Sequence, residues 1–390
     1  MGPAMTTSSP AHNAAAVPSF RMLLGGISAT RFFAEYWQKK PLLVRGAVPF
    51  LDRVLDQDGL LELACRDDAE SRLVRPVRGN WQREIGPFEP ERLARLPKRN
   101  WSLLVSGVNM LVAEADALLN AFNFVPYARL DDLMVSFAPP GGGVGPHFDS
   151  YDVFLIQGLG HRRWEISGQD DLELVEDCPL RILKRFQAEQ SWELGPGDLL
   201  YLPPKYAHNG VALTDCMTWS VGFRAPSAQE MATEFLVYLQ DNLGMKGFYA
   251  DPDLGPTRQP GRIPPLMEKR LKGMIQAIRW TDRDMSDFIG RYLSEPKPSV
   301  FFDPPHRPMA YARFKKSASE RGIALDPRSR MLYSGQAVFI NGERIEAEHS
   351  HAAELRKLAD RRVRPAAPIT DELAAFLYAW YRAGYLHMAH

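Results

Sequence analysis

Residues 139–149 read PPGGGVGPHFD, a proline- and glycine-rich run that ends in a His-x-Asp motif. Nine histidines, at an acidic frequency of 47 in 390, predict about one His-x-Asp/Glu motif by chance, and this chain has one. The motif therefore gains its weight from its context. We expect this segment to form a strand, on which alternate residues share a face. His147 and Asp149 would then point together into the space that the sheet encloses.

A second histidine follows a similar pattern further along the chain. Residues 194–208 read LGPGDLLYLPPKYAH, in which a tight turn leads into an apolar strand and then to His208. Two imidazoles and one carboxylate on one face of a metal leave three coordination positions open, as in non-haem iron(II) oxygenases. The alternative is a surface His-Asp pair with an unrelated histidine.

Residues 160–166, GHRRWEI, alternate in the manner of a half-buried strand. The alternation places Arg162 on the apolar face with Trp164. A buried arginine needs an anionic partner, and a dicarboxylate ligand would supply one in bidentate fashion. A structural Asp or Glu is the alternative partner. Ser220, on the polar face of a later strand, is a second candidate for contact with the same ligand.

The composition excludes several classes of protein. Hydrophobic residues make up 45% of the 390, so the chain is neither disordered nor fibrous. The 47 basic and 47 acidic residues cancel, so no global charge draws the protein to nucleic acid or to a membrane. Three scattered cysteines favour a reducing, cytoplasmic setting over a disulfide framework.

The order of predicted elements indicates an α+β protein. Several short strands lie between Trp101 and Phe223, separated by Gly, Pro and Asp, which is typical of a sandwich or barrel. Helical periodicity returns after Pro226. A later hairpin is expected with Asn341-Gly342 at its turn.

These motifs together resemble the JmjC and cupin-like 2-oxoglutarate oxygenases, and within them the bacterial ribosomal oxygenase family (YcfD/RoxA type). The resemblance rests on EYWQKKPLLVRG, on residues 141–166, on PGDLLYLPPKYAHNG and on WSVGFRAP. It implies a double-stranded β-helix, or jelly roll, followed by a helical dimerisation region and a winged-helix-like domain. The implied division is a disordered leader (1–20), an N-terminal helix and strand extension (21–98), a jelly-roll core (99–226), a helical dimerisation region (227–305) and a winged-helix-like domain (306–390).

The resemblance also assigns roles to residues. His147, Asp149 and His208 take the positions of the iron(II) ligands, and Arg162 that of the residue binding the far carboxylate of 2-oxoglutarate. Many relatives carry lysine there. The implied reaction uses dioxygen to hydroxylate an arginine of a large-subunit ribosomal protein, producing succinate and CO2. For a substrate guanidinium, Asp132 is our candidate clamp at the pocket mouth, although it also fits an ordinary aspartate at the start of a strand.

Some alternatives and partners remain open at this stage. One alternative is a related oxygenase that acts on histidine or another residue of a translation protein, and another is a non-catalytic cupin-like binding module. We expect a homodimer. Residues 306–330 contain seven basic and two acidic residues, a net charge of +5, so RNA contact is a further hypothesis beside an ordinary solvated face.

Overall fold

A computed structural model of the chain describes residues 18–49, 51–346 and 348–389. The predicted disordered leader falls outside the described residues as far as residue 17. The chain forms two compact units, Met1–Ala225 and Pro226–His390. The finer division into five parts stays a prediction. No helix in the described ranges is both long enough and apolar enough to cross a membrane.

The first unit is built mainly from antiparallel strands. Its helices are α1 (Phe20–Leu23), α2 (Ala29–Glu35), α3 (Gln57–Ala64), α4 (Pro90–Ala94) and α5 (Ala113–Asn120), with 3-10 turns at Leu51–Arg53 and Val108–Met110. Its strands are β1 (Leu42–Val44), β2 (Ser71–Val77), β3 (Asn80–Ile85), β4 (Ser102–Val105), β5 (Leu130–Ala138), β6 (Val153–Leu159), β7 (Arg162–Ser167), β8 (Gln190–Leu194), β9 (Leu199–Leu202), β10 (Ala207–Ala212) and β11 (Cys216–Phe223).

Two sheets form the body of this unit. The large sheet has the order β1-β9-β6-β11-β5-β4-β2-β3, and the small sheet has the order β10-β7-β8. The outer face of the large sheet packs against the helices, with Phe32, Leu60 and Leu118 in one core. Its inner face packs against the small sheet, where Leu155 meets Trp164. This arrangement confirms the predicted jelly roll within an α+β protein.

The hairpin of β2 and β3 was not predicted from the sequence. Arginine and proline interrupt the usual alternation of polar and apolar residues there. The two strands lie at the edge of the large sheet and remain partly exposed, so their side chains do not follow the pattern of a buried strand. Arg78 and Gly79 form the turn, with φ of 51° and 83°. Such positive φ values at both positions match the twist of a two-residue hairpin.

The second unit combines helices with two small sheets. Its helices are α6 (Ala228–Asn242), α7 (Pro265–Gln276), α8 (Asp282–Ser294), α9 (Tyr311–Arg321), α10 (His349–Arg361) and α11 (Asp371–Ala383). Its strands are β12 (Ile323–Leu325), β13 (Met331–Ser334), β14 (Ala337–Ile340), β15 (Glu343–Ile345), β16 (Val363–Arg364) and β17 (Leu386–Met388). A capping box of Ser227 and Glu230 starts α6. Asn341 and Gly342 form the turn between β14 and β15, which confirms the predicted hairpin.

A buried carboxylate ties the start of β6 to three other parts of the first unit. Asp152 is fully buried and accepts hydrogen bonds from the Tyr201 hydroxyl at 2.7 Å, Gln38 Nε2 at 3.0 Å and Arg129 Nη2 at 3.1 Å. The backbone N–H of Gln38 also donates to the Tyr201 hydroxyl, at 2.8 Å. This network fixes the segment that directly follows residues 147–151.

We expect Asp152→Ala to lower the free energy of unfolding by about 2–4 kcal/mol, because it leaves a guanidinium and a hydroxyl without their buried acceptor. Tyr201→Phe removes one hydrogen bond and should cost about 1 kcal/mol. Urea unfolding followed by tryptophan fluorescence measures both. Equal losses in the two variants would contradict the central role of the carboxylate.

Candidate metal centre

Three side chains with metal-ligating atoms converge between the two sheets. The ligand atoms of His147, Asp149 and His208 all lie within 4.8 Å of one another. His208 Nε2 is 3.7 Å from Asp149 Oδ2. The structure therefore brings together the three residues that the sequence singled out as a possible metal site.

The backbone holds these residues in place. His147 N donates to His208 O at 3.0 Å, and His208 N donates to His147 O at 2.8 Å. Lys205 N donates to Asp149 O at 2.7 Å. The expectation that residues 147–149 form a strand is wrong, because His147 makes a single isolated bridge to His208. The side chains converge through that bridge and the Lys205 bond rather than through strand alternation.

Both imidazoles present the same nitrogen to the centre. Nδ1 of His147 lies 2.9 Å from Gly145 O, and Nδ1 of His208 lies 2.9 Å from Tyr206 O. A carbonyl oxygen only accepts, so each Nδ1 carries the proton and each Nε2 keeps its lone pair. Burial, followed by repulsion from His147, lowers the pKa of His208 to about 4. His208 is therefore neutral near pH 7, as a metal ligand must be.

Two glycines allow this close approach. Gly145 has φ of 79°, and a Cβ there would lie 2.6 Å from Trp81 Cζ2 and 2.8 Å from Ile182 Cδ1. A Cβ on Gly210 would lie 2.6 Å from the ring of Trp164. A larger residue at Gly145 would displace the loop that carries His147. A larger residue at Gly210 would displace the indole of Trp164 beside His208.

Arg162 lies on the same side of the small sheet as His208. The register pairs Arg162 with Ala212 and Ile166 with His208, and cross-strand partners share a face. Arg162 is only 4% exposed, as the alternation predicted, whereas Arg163 is exposed. Its Nη2 lies 3.5 Å from Cys216 Sγ, and its Nε has no hydrogen-bond partner. Within the described ranges no Asp or Glu forms an ion pair with it, so the structural alternative finds no support there.

Trp164 is a residue of the site that sequence reasoning missed. Its ring lies 5.7 Å from the Arg162 guanidinium and 5.8 Å from the His208 ring, and its Nε1 is buried without a hydrogen-bond partner. The strand alternation that selected Arg162 also placed Trp164 on this face. Arg162 Nε and Trp164 Nε1 are therefore two buried donors that fit a ligand with several hydrogen-bond acceptors.

Ser220 lies on the inner face of the large sheet, 8% exposed and opposite Met134 and Leu155. Its neighbour on that face, Thr218, is already engaged, because Thr218 Oγ1 donates to Gln157 Oε1 at 3.1 Å. β11 therefore has the predicted polar face. Because the Thr218 hydroxyl is already hydrogen-bonded, Ser220 is the residue on this face that stays a candidate for ligand contact.

Asp132 lies beside Gly222, where β11 changes register. The ladder shifts between Val221 and Phe223, and Asp132 Oδ1 and Tyr151 Cε2 lie 3.8 Å and 4.0 Å from the position of a Cβ on Gly222. The Asp149 charge, followed by burial, raises the pKa of Tyr151. Tyr151 is therefore close enough to Asp149 and Asp132 for both carboxylates to act on its pKa, and sequence reasoning missed it because only the fold brings these residues together.

Comparison with known proteins connects this geometry to a family. The JmjC domain matches residues 117–231, and the ROXA-like winged helix matches residues 277–387. The ribosomal protein uL16 3-hydroxylase of Escherichia coli is 37% identical over 327 residues, which cover 82% of this chain and 86% of that protein. A probable ribosomal oxygenase of Haemophilus influenzae is 39% identical over 231 residues, 57% of this chain and 54% of that protein.

The solved structures agree with these relatives. The ribosomal oxygenase YcfD of Escherichia coli, in complex with cobalt and 2-oxoglutarate, is 34% identical with a TM-score of 0.78. The match covers 93% of this chain and 99% of that one. The two-histidine, one-carboxylate donor set fits a divalent metal, and Arg162, which has no acidic partner among the described residues, fits an anionic ligand. The chain therefore belongs to the ribosomal oxygenases, a JmjC-type family of 2-oxoglutarate-dependent enzymes.

Proposed function

We propose that this enzyme hydroxylates an arginine side chain of a large-subunit ribosomal protein of the uL16 type, using iron(II), 2-oxoglutarate and dioxygen. The observation that carries the proposal is the pairing of a two-histidine, one-carboxylate centre with a buried arginine that has no anionic partner among the described residues. The substrate class is supported by the Escherichia coli relative that acts on uL16.

In this proposal His147, Asp149 and His208 hold the iron. Their ligand atoms all lie within 4.8 Å of one another, and a metal held by two histidines and one carboxylate would keep positions open for other ligands, as in non-haem iron(II) oxygenases. The Nδ1 hydrogen bonds to backbone carbonyls fix the orientation of both imidazoles. The metal centre is thus arranged before a ligand binds.

Arg162 binds the far carboxylate of 2-oxoglutarate, and Ser220 contributes a hydroxyl from the opposite sheet. A guanidinium that is 4% exposed gains a strong charge-assisted hydrogen bond when a carboxylate arrives. Trp164 Nε1 is a further donor in the same space. Bound iron and 2-oxoglutarate supply the oxidising chemistry, with succinate and CO2 as products. The protein residues orient both reactants and keep water out of the apolar space around Trp164.

Asp132 serves as the clamp for the substrate guanidinium, beside Tyr151. The two side chains flank Gly222, where the ladder is irregular and the site opens. A carboxylate at this place favours a cationic side chain. This favours arginine over the alternative of a histidine that is neutral at pH 7. The alternative of a non-catalytic cupin-like module gives no role to Arg162.

We expect the host's own large-subunit ribosomal proteins to carry one extra oxygen atom on one arginine when the gene is intact. The modification should be absent in cells that carry His147→Ala. Tandem mass spectrometry of ribosomal proteins from both strains measures it. Oxygen on a histidine would support the histidine alternative, and unchanged ribosomal proteins would remove the substrate assignment.

We expect two variants to separate the two binding subsites. Arg162→Ala should raise the KM for 2-oxoglutarate about 10- to 100-fold, because a charge-assisted hydrogen bond is lost. Arg162→Lys should recover part of that loss. Asp132→Ala should raise the KM for a substrate peptide while peptide-independent turnover of 2-oxoglutarate persists. Succinate formation gives both constants. A peptide KM that is unchanged in Asp132→Ala takes this residue out of the substrate site.

The enzyme is a homodimer in this proposal, supported by an apolar surface on α6, α7 and the segment between them. Leu236, Phe248 and Ile275 are 66%, 98% and 68% exposed. Large exposed apolar patches are characteristic of protein interfaces. A second copy of the chain is the occupant that the predicted helical dimerisation region provides.

We expect sedimentation equilibrium to give twice the chain mass for the wild-type protein. Leu236→Glu combined with Ile275→Glu should give the monomer mass, because two charges are then buried in the interface. Val363→Glu, at an exposed apolar residue outside these helices, is the matched control. A wild-type monomer would overturn the dimer.

Two further predictions receive unequal support. A cytoplasmic location is supported by the free thiols of Cys65, Cys178 and Cys216. RNA contact through residues 306–330 is the weaker prediction, because Lys315 pairs with Asp371 and Arg328 pairs with Asp303. These two acidic residues lie outside the segment, so they offset part of its net charge of +5.

A further inference from the structure

A groove outside the metal centre lies on the first unit, beside helices α3 and α4. It has a volume of about 1060 Å³ and is bounded by α3, α4 and the segment Pro139-Pro140. Its apolar wall includes Leu61, Leu93 and Trp101. Nothing in the proposed reaction uses this groove.

Acidic side chains dominate the charged part of the lining. Asp58, Glu62 and Asp215 line the groove together with a single base, Lys98. All four are exposed, and none forms an ion pair with another described residue. Asp58 and Glu62 lie one turn apart on α3, where like charges destabilise a helix. A basic ligand would relieve that repulsion.

The pKa of a thiol in the groove responds to the same negative charges. Burial and then the carboxylates of Glu89, Glu91 and Glu62 raise the pKa of Cys65. Glu89 and Glu91 belong to the start of α4, so acidic residues contribute from both helices that bound the groove. The acidic character is therefore a property of the groove and not of one residue.

The groove is continuous with the loop that carries the metal centre. Pro139 and Pro140 form part of its wall and lead directly into the glycine-rich loop that ends at His147. Gly141 N donates to Ala212 O at 2.8 Å, which fastens this loop to the strand of His208. A partner bound in the groove therefore lies beside the site on the same unit.

We propose that this groove is a second docking site for the substrate protein, binding a basic and partly apolar segment away from the target arginine. The inference rests on the proposed function. Ribosomal proteins bind RNA and carry an excess of lysine and arginine, so their charge complements the groove. Charges at the rim of an interface act mainly through encounter and specificity.

The test compares two substrates, a full-length uL16-type protein and a short peptide that contains the target arginine. Asp58→Lys combined with Glu62→Lys should raise the KM for the full-length protein about five- to tenfold, since each exposed ion pair contributes only a small part of the binding free energy. The KM for the short peptide and for 2-oxoglutarate should not change. Ala94→Trp, which fills the groove without altering its charge, should act in the same direction.

The matched control is Glu114→Lys combined with Glu193→Lys. These two carboxylates are exposed in the same unit, make the same change in net charge and do not line the groove. This control should leave the KM for the full-length protein near the wild-type value. An equal rise in the control would reduce the effect to net charge and overturn the docking site.

Direct binding separates this inference from the proposed function. Fluorescence anisotropy of labelled full-length protein reports docking even if no peptide is hydroxylated, and bound substrate should slow alkylation of Cys65 by N-ethylmaleimide. Binding and KM that do not respond to the groove variants overturn the inference while leaving the proposed function intact. Groove variants that instead change the sedimentation mass would assign the groove to a second copy of the chain, which also overturns it.

Discussion

The metal centre depends on two reciprocal backbone hydrogen bonds between His147 and His208. They join a loop that leaves the large sheet to a strand of the small sheet, and so they bring together side chains that are far apart in the chain. Because the bonds involve the backbone, they do not consume the imidazole nitrogens that a metal requires. The Nδ1 atoms are engaged by Gly145 O and Tyr206 O, which leaves both Nε2 atoms directed at the centre.

The inner space of the jelly roll is electrostatically incomplete without a ligand. Among the described residues, Arg162 Nε and Trp164 Nε1 are buried without a hydrogen-bond partner, although buried polar groups in folded proteins are nearly always paired. Burying the charged side chain of Arg162 costs free energy, and in the proposed function a dicarboxylate ligand offsets that cost. In that proposal the same residue provides affinity for anions and a measure of selectivity, since a neutral ligand would leave the charge uncompensated.

Residues on regular strands could be predicted from the sequence, and residues placed by loop closure could not. Alternation on β7 predicted the burial of Arg162, and the Asn341-Gly342 pair predicted its hairpin. His147 and Asp149 do converge with His208, but not for the predicted reason, because His147 is held by an isolated bridge and not by a strand. Tyr151 comes close to Asp132 only through the course of the loop after Asp149, which the sequence does not indicate. The β2–β3 hairpin was not predicted because its Arg- and Pro-rich strands lie at a partly exposed sheet edge.

An acidic clamp at the mouth cannot by itself select one arginine in a protein that is rich in arginine. As the proposed clamp, Asp132 would bind a guanidinium in any sequence context, and one charge-assisted contact contributes only about 1.5–3 kcal/mol. Selection of a single site requires a second contact whose distance from the first is fixed. When two weak contacts lie on one rigid unit, binding of one raises the effective concentration of the other, so modest affinities combine for the correctly spaced pair alone. The acidic groove beside Pro139 has the charge and the position for that second contact.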